Sequence, residues 1–146
     1  MQITRFSDYS LRVLMYLALQ PERWSTIAEI ADQYAISKNH LMKVVQSLGG
    51  LGYVETARGK NGGIRLAEQA LGLSIGELVL QTEQDTVLIE CFGSDNRCAI
   101  TPACRLKKIF ADAQDAFYQS LSRYTLEDLV RGEQRQELQV LLAMPG

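Results

Sequence analysis

Three cysteines fall within fourteen residues of one another: Cys91, Cys98 and Cys104, spaced Cys-x6-Cys-x5-Cys. The thiolate is the form that ligates metals and reacts with oxidants. Zinc sites favour close pairs such as Cys-x2-Cys, and this chain has none. An odd cysteine count behind an N-terminus without a secretion signal, Met1-Gln2-Ile3-Thr4-Arg5, argues against a disulfide framework. Three readings of the cysteines stand. One is a disulfide plus one free thiol, disfavoured in a reducing compartment. Another is three inert core thiols, which sits poorly with Cys91 and Cys98 among polar, turn-forming neighbours. The third is three thiolates, from a flexible loop and a helix start, that hold an iron–sulfur cluster and leave a fourth position for a different ligand. Cys104, as the third residue of an expected helix, has a thiolate favoured by the helix dipole.

A second group of residues suits a nucleic acid. Ser37, Lys38, Asn39, His40, Lys43 and Gln46 share the polar face of an expected helix. Asn and Gln pair with adenine edges, and Lys and His meet guanine or phosphate. The first turn of such a helix also offers free backbone N–H groups to a phosphate. Arg58, Lys60, Asn61 and Arg65 surround the turn Gly59-Lys60-Asn61-Gly62-Gly63. A thin glycine-rich tip carrying Arg and Lys suits the minor groove or the flanking backbone. Thr26, at the start of the preceding helix, completes the candidate DNA-contacting set. His40 is the single histidine. It stands far in sequence from the cysteines and is expected to face DNA or solvent rather than a metal. No histidine pairs with a Cys or Ser by motif and no phosphate-binding loop is present, so the chain is not expected to be an enzyme.

The elements that must position these groups follow from caps and periodicity. Ser7 is placed to cap a helix through Leu11, Leu14, Met15 and Leu17 that ends before Pro21. Thr26-Ile27-Ala28-Glu29 fits a capping box, with Ile27, Ile30, Ala31 and Tyr34 at helical spacing. After a break at Ala35-Ile36, Ser37 caps a helix with an apolar stripe of Leu41, Val44, Val45 and Leu48. Gly49, Gly50 and Gly52 end it. Residues 53–58 and 64–66 read as strands around a turn. Together these segments make a winged helix. Ser74-Ile75-Gly76-Glu77 is another capping box, opening a helix to about Glu83. Residues 90–103 lack periodicity and read as an irregular loop. Thr101 with Pro102 at the first position opens a helix carrying Leu106, Ile109, Phe110, Ala113, Phe117, Leu121 and Tyr124. That stripe is longer than so small a domain needs for itself, and it suits dimerisation. Thr125-Leu126-Glu127-Asp128 starts a further short helix. The tail from Glu133 is polar, then rich in leucine, and is left without an assigned element.

The fold class is therefore mainly α with a small β-hairpin: a winged helix-turn-helix domain plus a long C-terminal dimerisation helix. The expected division is 1–83 for the DNA-binding domain, with its wing at about 53–66. Residues 84–104 form the cysteine loop, 105–132 the dimerisation and short helices, and 133–146 a tail. The net charge of −2 hides an asymmetry. Residues 1–66 hold eight Lys/Arg against five Asp/Glu, and residues 67–146 hold seven against twelve. One half is thus suited to meet an anion and the other to do something else. The hydrophobic fraction of 47% and charged fraction of 22% are those of an ordinary globular protein. No apolar run reaches membrane-spanning length, so a cytoplasmic protein with no membrane partner is expected.

Several stretches resemble a known family: Phe6-Ser7-Asp8-Tyr9 with Leu11-Arg12, Ser37-Lys38-Asn39-His40, and residues 58–66, Arg-Gly-Lys-Asn-Gly-Gly-Ile-Arg-Leu. Ile100-Thr101-Pro102-Ala103-Cys104-Arg105-Leu106-Lys107 and residues 124–130 continue the likeness. The chain resembles the winged-helix iron–sulfur transcription regulators, a family with IscR-type and nitric-oxide-sensitive NsrR-type branches, and the last two stretches are similar to the NsrR type. The resemblance implies a homodimer on palindromic double-stranded DNA, repression relieved when nitric oxide attacks the cluster, and one cluster per subunit. A 4Fe–4S cluster is implied ahead of 2Fe–2S. The resemblance puts the cluster on Cys91, Cys98 and Cys104. An IscR-type histidine ligand has no counterpart, because the residues beyond the last cysteine read Arg105, Leu106, Lys107 and Lys108. In the NsrR type the fourth ligand is a carboxylate from the first helix of the other protomer, which maps to Asp8 of the partner subunit. Arg12, one turn along, would orient it. Without a partner, Asp8 is an ordinary carboxylate matched to a helix N-terminus. The gap between Cys91 and Cys98 is slightly longer than the family's. Two other readings use the same residues: a cluster-independent regulator of this fold sensing thiol oxidation or a small metabolite, and a cluster carrier whose winged helix mediates protein contacts.

Overall fold

The computed structural model describes residues 1–144. In chain order the elements are α1 (Arg5–Leu19), α2 (Ile27–Tyr34), α3 (Lys38–Gly50), β1 (Val54–Ala57), β2 (Gly63–Leu66), α4 (Ile75–Thr82), α5 (Arg105–Leu121), α6 (Leu126–Leu129) and α7 (Glu133–Leu141). Short 3-10 turns occupy Glu68–Gly72, Glu90–Phe92 and Thr101–Ala103. The chain forms two compact units. One joins Met1–Leu73 to Thr125–Gly146, and the other is Ser74–Tyr124. α4 and α5 lie in the second unit, and α6 and α7 lie in the first with the N-terminal helices.

In the first unit, α1 starts one turn earlier than its expected cap. Thr4 is the N-cap, its Oγ1 accepting from the Ser7 N–H at 3.1 Å, and Ser7 is buried in the first turn. The caps of α2 and α3 fall where the pattern put them, at Thr26 and Ser37. Between these helices Ala35 is left-handed, with φ 53°. That conformation costs an L-residue roughly 1–2 kcal/mol and makes the sharp turn of the helix pair. The stripe Leu41, Val44, Val45 and Leu48 is buried together with Val13, Leu14, Leu17 and Ile30. Each such side chain contributes about 1.5–3 kcal/mol on full burial.

The wing is an antiparallel hairpin with Val54 opposite Leu66, Glu55 opposite Arg65 and Thr56 opposite Ile64. Val54, Ile64 and Leu66 point into the core. Ser25 adds a third, single-residue partner, donating its N–H to the Ile64 carbonyl at 2.8 Å and accepting from the Ile64 N–H at 2.7 Å. Glu133–Leu141 of the tail form α7, a helix. Arg135 of α7 donates to the Leu19 carbonyl at 2.6 Å and Gln139 donates to the same oxygen at 3.2 Å, capping the C-terminus of α1.

In the second unit, Ser74 caps α4 and the Ile75 N–H donates to the Tyr124 carbonyl at 2.9 Å. The segment 90–103 is largely irregular, as expected, apart from its two 3-10 turns. One expectation is overturned here. Thr101 and Pro102 open the second 3-10 turn rather than α5, and Cys104 is the N-cap of α5 instead of its third residue. The 3-10 turn uses up the proline before the α-helix begins. No residue of α5 is buried, and Leu106 and Ile109 are exposed.

Candidate functional site

The face of α3 opposite its buried stripe carries Lys38, Asn39, Met42, Lys43 and Gln46, all exposed. Ser37 Oγ accepts the His40 N–H at 3.4 Å and fixes the start of the helix. Asn39, Met42, Lys43 and Gln46 line one groove with Ile27 and Thr56. His40 does not project freely. It is half-buried, with its ring edge-on to Tyr9 at 4.7 Å between centroids.

Thr26 is exposed, and its hydroxyl accepts the Glu29 N–H at 3.1 Å. The Glu29 carboxylate is gripped by Arg23 and accepts a hydrogen bond from the Tyr16 hydroxyl at 3.3 Å. Burial pushes the Glu29 carboxyl up, but the Arg23 hydrogen bond and charge outweigh it and hold the group below the ordinary range. Burial, reinforced by the Glu29 charge, pushes the Tyr16 phenol up.

The wing separates its four candidates. Arg58, Lys60 and Asn61 are exposed around the tip. Arg65 lies at the root, its Nε and one terminal nitrogen donating to Glu55 Oε2 at 3.0 and 2.8 Å. Its guanidinium also stacks over Trp24, 4.4 Å from the ring centroid. Arg65 thus braces the hairpin through a partly exposed ion pair. The pairing follows from the register, which sets Glu55 and Arg65 opposite each other.

Asp8 and Arg12 form the i,i+4 pair expected of them, and the contact is two-pronged. Arg12 Nε donates to Oδ1 at 3.1 Å and a terminal nitrogen donates to Oδ2 at 2.9 Å. The same guanidinium lies 5.7 Å from the Tyr9 centroid and 5.8 Å from that of Tyr34. Tyr34 donates its hydroxyl to the Arg12 carbonyl at 3.0 Å, and its pKa is pushed up to about 12 by burial, against the opposing pull of Arg12. Tyr9 and Tyr34 do not stand out in the sequence. Their only signal is helical spacing, which marks them equally well as core residues.

In the second unit Cys91, Cys98 and Cys104 are all free, Cys98 exposed and the other two half-buried. Among the described residues no three metal-capable side chains stand together. The donor chemistry nonetheless fits an iron–sulfur cluster. The thiols are unpaired and reachable, and Cys104 sits at the N-terminus of α5 without spending its side chain on a cap.

A family model described as Rrf2, iron-dependent transcriptional regulator, matches residues 3–132. The chain belongs to the Rrf2 family. Among its Rrf2 relatives, the HTH-type transcriptional regulator NsrR of Shouchella clausii is 51% identical over 135 residues, 91% of each chain. That of Bacillus subtilis is 48% identical over 146 residues, 99% of each. Among solved structures, oxidized CymR of Staphylococcus aureus aligns with a TM-score of 0.70 at 22% identity, covering 90% of this chain and 98% of that one. T. potens IscR aligns at 0.68 and 19% identity, covering 88% and 85%. These neighbours share the mainly α winged-helix fold with its small hairpin. Rrf2 proteins are transcriptional regulators, and this chain is not an enzyme. No helix among the described residues is long and apolar enough to cross a membrane.

Proposed function

We propose that this Rrf2 regulator is a repressor that binds a palindromic operator as a homodimer and lets go when nitric oxide meets an iron–sulfur cluster held by Cys91, Cys98 and Cys104. The observation that carries the reading is the trio of free, reachable thiols in a chain about half identical to regulators named NsrR. The fourth ligand would be Asp8 of the partner subunit. A carboxylate has two oxygens, so one can ligate while the other stays with Arg12. A bound cluster supplies irons that react with nitric oxide. The protein's own part is positional. Asp8 is tied to Arg12, Arg12 packs on Tyr9, and Tyr9 packs on His40 at the start of α3. A change of partner at Asp8 is therefore felt at the reading helix.

Lys38, Asn39, Lys43 and Gln46 would contact bases and phosphates, with Thr26, Ser37 and His40 at the edge of that face. Arg58, Lys60 and Asn61 would follow the neighbouring backbone or minor groove. The exposed stripe of α5 would join two copies, setting the reading helices about one duplex turn apart, so that a small rotation abolishes binding. The test is retention of an operator duplex by anaerobically reconstituted protein before and after nitric oxide, alongside Asp8→Ala. Binding lost on nitric oxide treatment, with a blunted response in the variant, supports the switch. Equal binding before and after treatment refutes it. The exposure of Cys98 favours a second reading in which thiol oxidation is the signal. Anaerobic protein that binds DNA without visible cluster absorbance would select it.

A further inference from the structure

The cysteine loop is laced by side chains that are not cysteines. The Glu90 carboxylate accepts the Arg97 N–H at 2.7 Å, joining the residue before Cys91 to the residue before Cys98. Asn96 Oδ1 accepts the Cys98 N–H at 3.0 Å. The amide nitrogen of Asn96 donates to Thr101 Oγ1 at 2.9 Å, and the Thr101 hydroxyl donates to the Cys98 carbonyl at 2.8 Å. Both backbone polar groups of Cys98 are thereby held. The Thr101 carbonyl in turn accepts the Cys104 N–H at 3.4 Å. One chain of bonds thus runs from beside Cys91, through Cys98, to Cys104. The Thr101 hydroxyl accepts and donates at once, and such chained bonds strengthen each other. A segment with no regular secondary structure does not hold its backbone without such partners.

We infer that Glu90, Asn96 and Thr101 are positioning residues for the metal ligands, bracing the segment from Glu90 to Cys104 before any iron arrives. The inference rests on the cluster reading proposed above and adds to it a frame made in the metal-free chain. Loading then starts from a braced segment, so less of the entropy of a fourteen-residue loop is lost on binding.

The experiment compares wild type with Thr101→Val, Thr101→Ser and Glu90→Ala. In metal-free protein, hydrogen exchange at the Cys98 and Arg97 amides is measured. After anaerobic reconstitution, iron and sulfide content and the rate of iron loss to a chelator are measured. Trp24, the single tryptophan, lies in the other unit and reports by fluorescence that it remains folded. Thr101→Val should speed exchange at Cys98 and iron loss about tenfold, as removal of partners that orient metal ligands does elsewhere. Glu90→Ala should do the same at Arg97. Thr101→Ser, which keeps the hydroxyl, should restore wild-type behaviour. Wild-type exchange and iron-loss rates in Thr101→Val and Glu90→Ala would overturn the positioning role. Wild-type protein that takes up no iron would overturn the cluster reading itself, and the positioning role with it, an outcome distinct from unchanged variants in a protein that loads.

Discussion

Replacing Gly63 by alanine should detach the wing from the body of its unit. Gly63 opens β2 with φ 143°, a conformation that side-chain-bearing residues rarely adopt. A Cβ there would stand 2.3 Å from the Ser25 carbonyl oxygen and 3.1 Å from its carbon, and both are backbone atoms that cannot swing aside. Relief requires Ser25 to move, which breaks its paired hydrogen bonds with Ile64 at 2.8 and 2.7 Å. Two backbone bonds at about 1 kcal/mol each and roughly 1–3 kcal/mol of backbone strain give about 3–5 kcal/mol. That is a large share of the roughly 5–15 kcal/mol that holds a domain folded. Trp24 adjoins Ser25 and stacks on Arg65 of β2, so its fluorescence reports this contact. In urea the midpoint should fall by more than about 1 M, given slopes of about 1–3 kcal/mol per molar. Gly59→Ala is the internal control. Its φ is 104°, but nothing lies within 4 Å of the added Cβ, so it should show only the strain. Equal midpoints for wild type and Gly63→Ala would refute the reasoning, as would equal losses in the two variants.

Lys43→Ala and Arg58→Ala should each weaken operator binding across sequences and lower the salt slope by about 0.9 for each phosphate no longer neutralised, read from binding isotherms over a salt series. Unchanged affinity and slope in both would misplace the interface. Glu29, held below the ordinary carboxylate range, binds fewer protons folded than unfolded. Its stabilisation is therefore complete above the ordinary carboxylate range and disappears as pH falls through the depressed value. Glu29→Gln should flatten the acid limb of the stability–pH curve, and an unchanged limb would show that Arg23 contributes nothing through it. Arg135→Ala leaves Gln139 on the Leu19 carbonyl and should cost about 1 kcal/mol by denaturant titration, with no effect expected if α7 is detached in solution.

What was legible in the sequence was local. Thr26, Ser37, Ser74 and Thr125 all cap helices, because a hydroxyl three residues before its N–H partner is a contact within one turn. Thr4 and Ser7 are both hydroxyls near one helix start, and only the extended backbone at Thr4 decides between them. Pairings across long sequence separations left no trace. α7 begins at Gly132 with no side-chain cap, and its anchor at Leu19 lies 116 residues away. A single-residue bridge at Ser25 has no period to detect. At the candidate site the basic tip and the polar face of α3 were readable from residue type. The pairing of Arg65 with Glu55 was not, because it depends on hairpin register. The lacing of the cysteine loop escaped for a related reason. Asn and Thr in an irregular segment read as turn formers, and their partners depend on how the loop closes.

The unit that carries α3 and the wing is discontinuous in the chain, with Ser74–Tyr124 inserted between its parts. Leu126 and Val130 are wholly buried in it, and the Leu126 N–H donates to the Leu73 carbonyl at 2.9 Å. A nascent chain emerging from the ribosome therefore presents its helix pair and hairpin with vacant core positions and without the α7 donors on the Leu19 carbonyl. Closing the long loop costs little more entropy than closing a short one, but folding slows when essential partners are this far apart. α3 is thus synthesised early and stabilised last. Fragments ending before residue 125 carry α3 and the wing on an incomplete core, which makes them ready substrates for proteolysis.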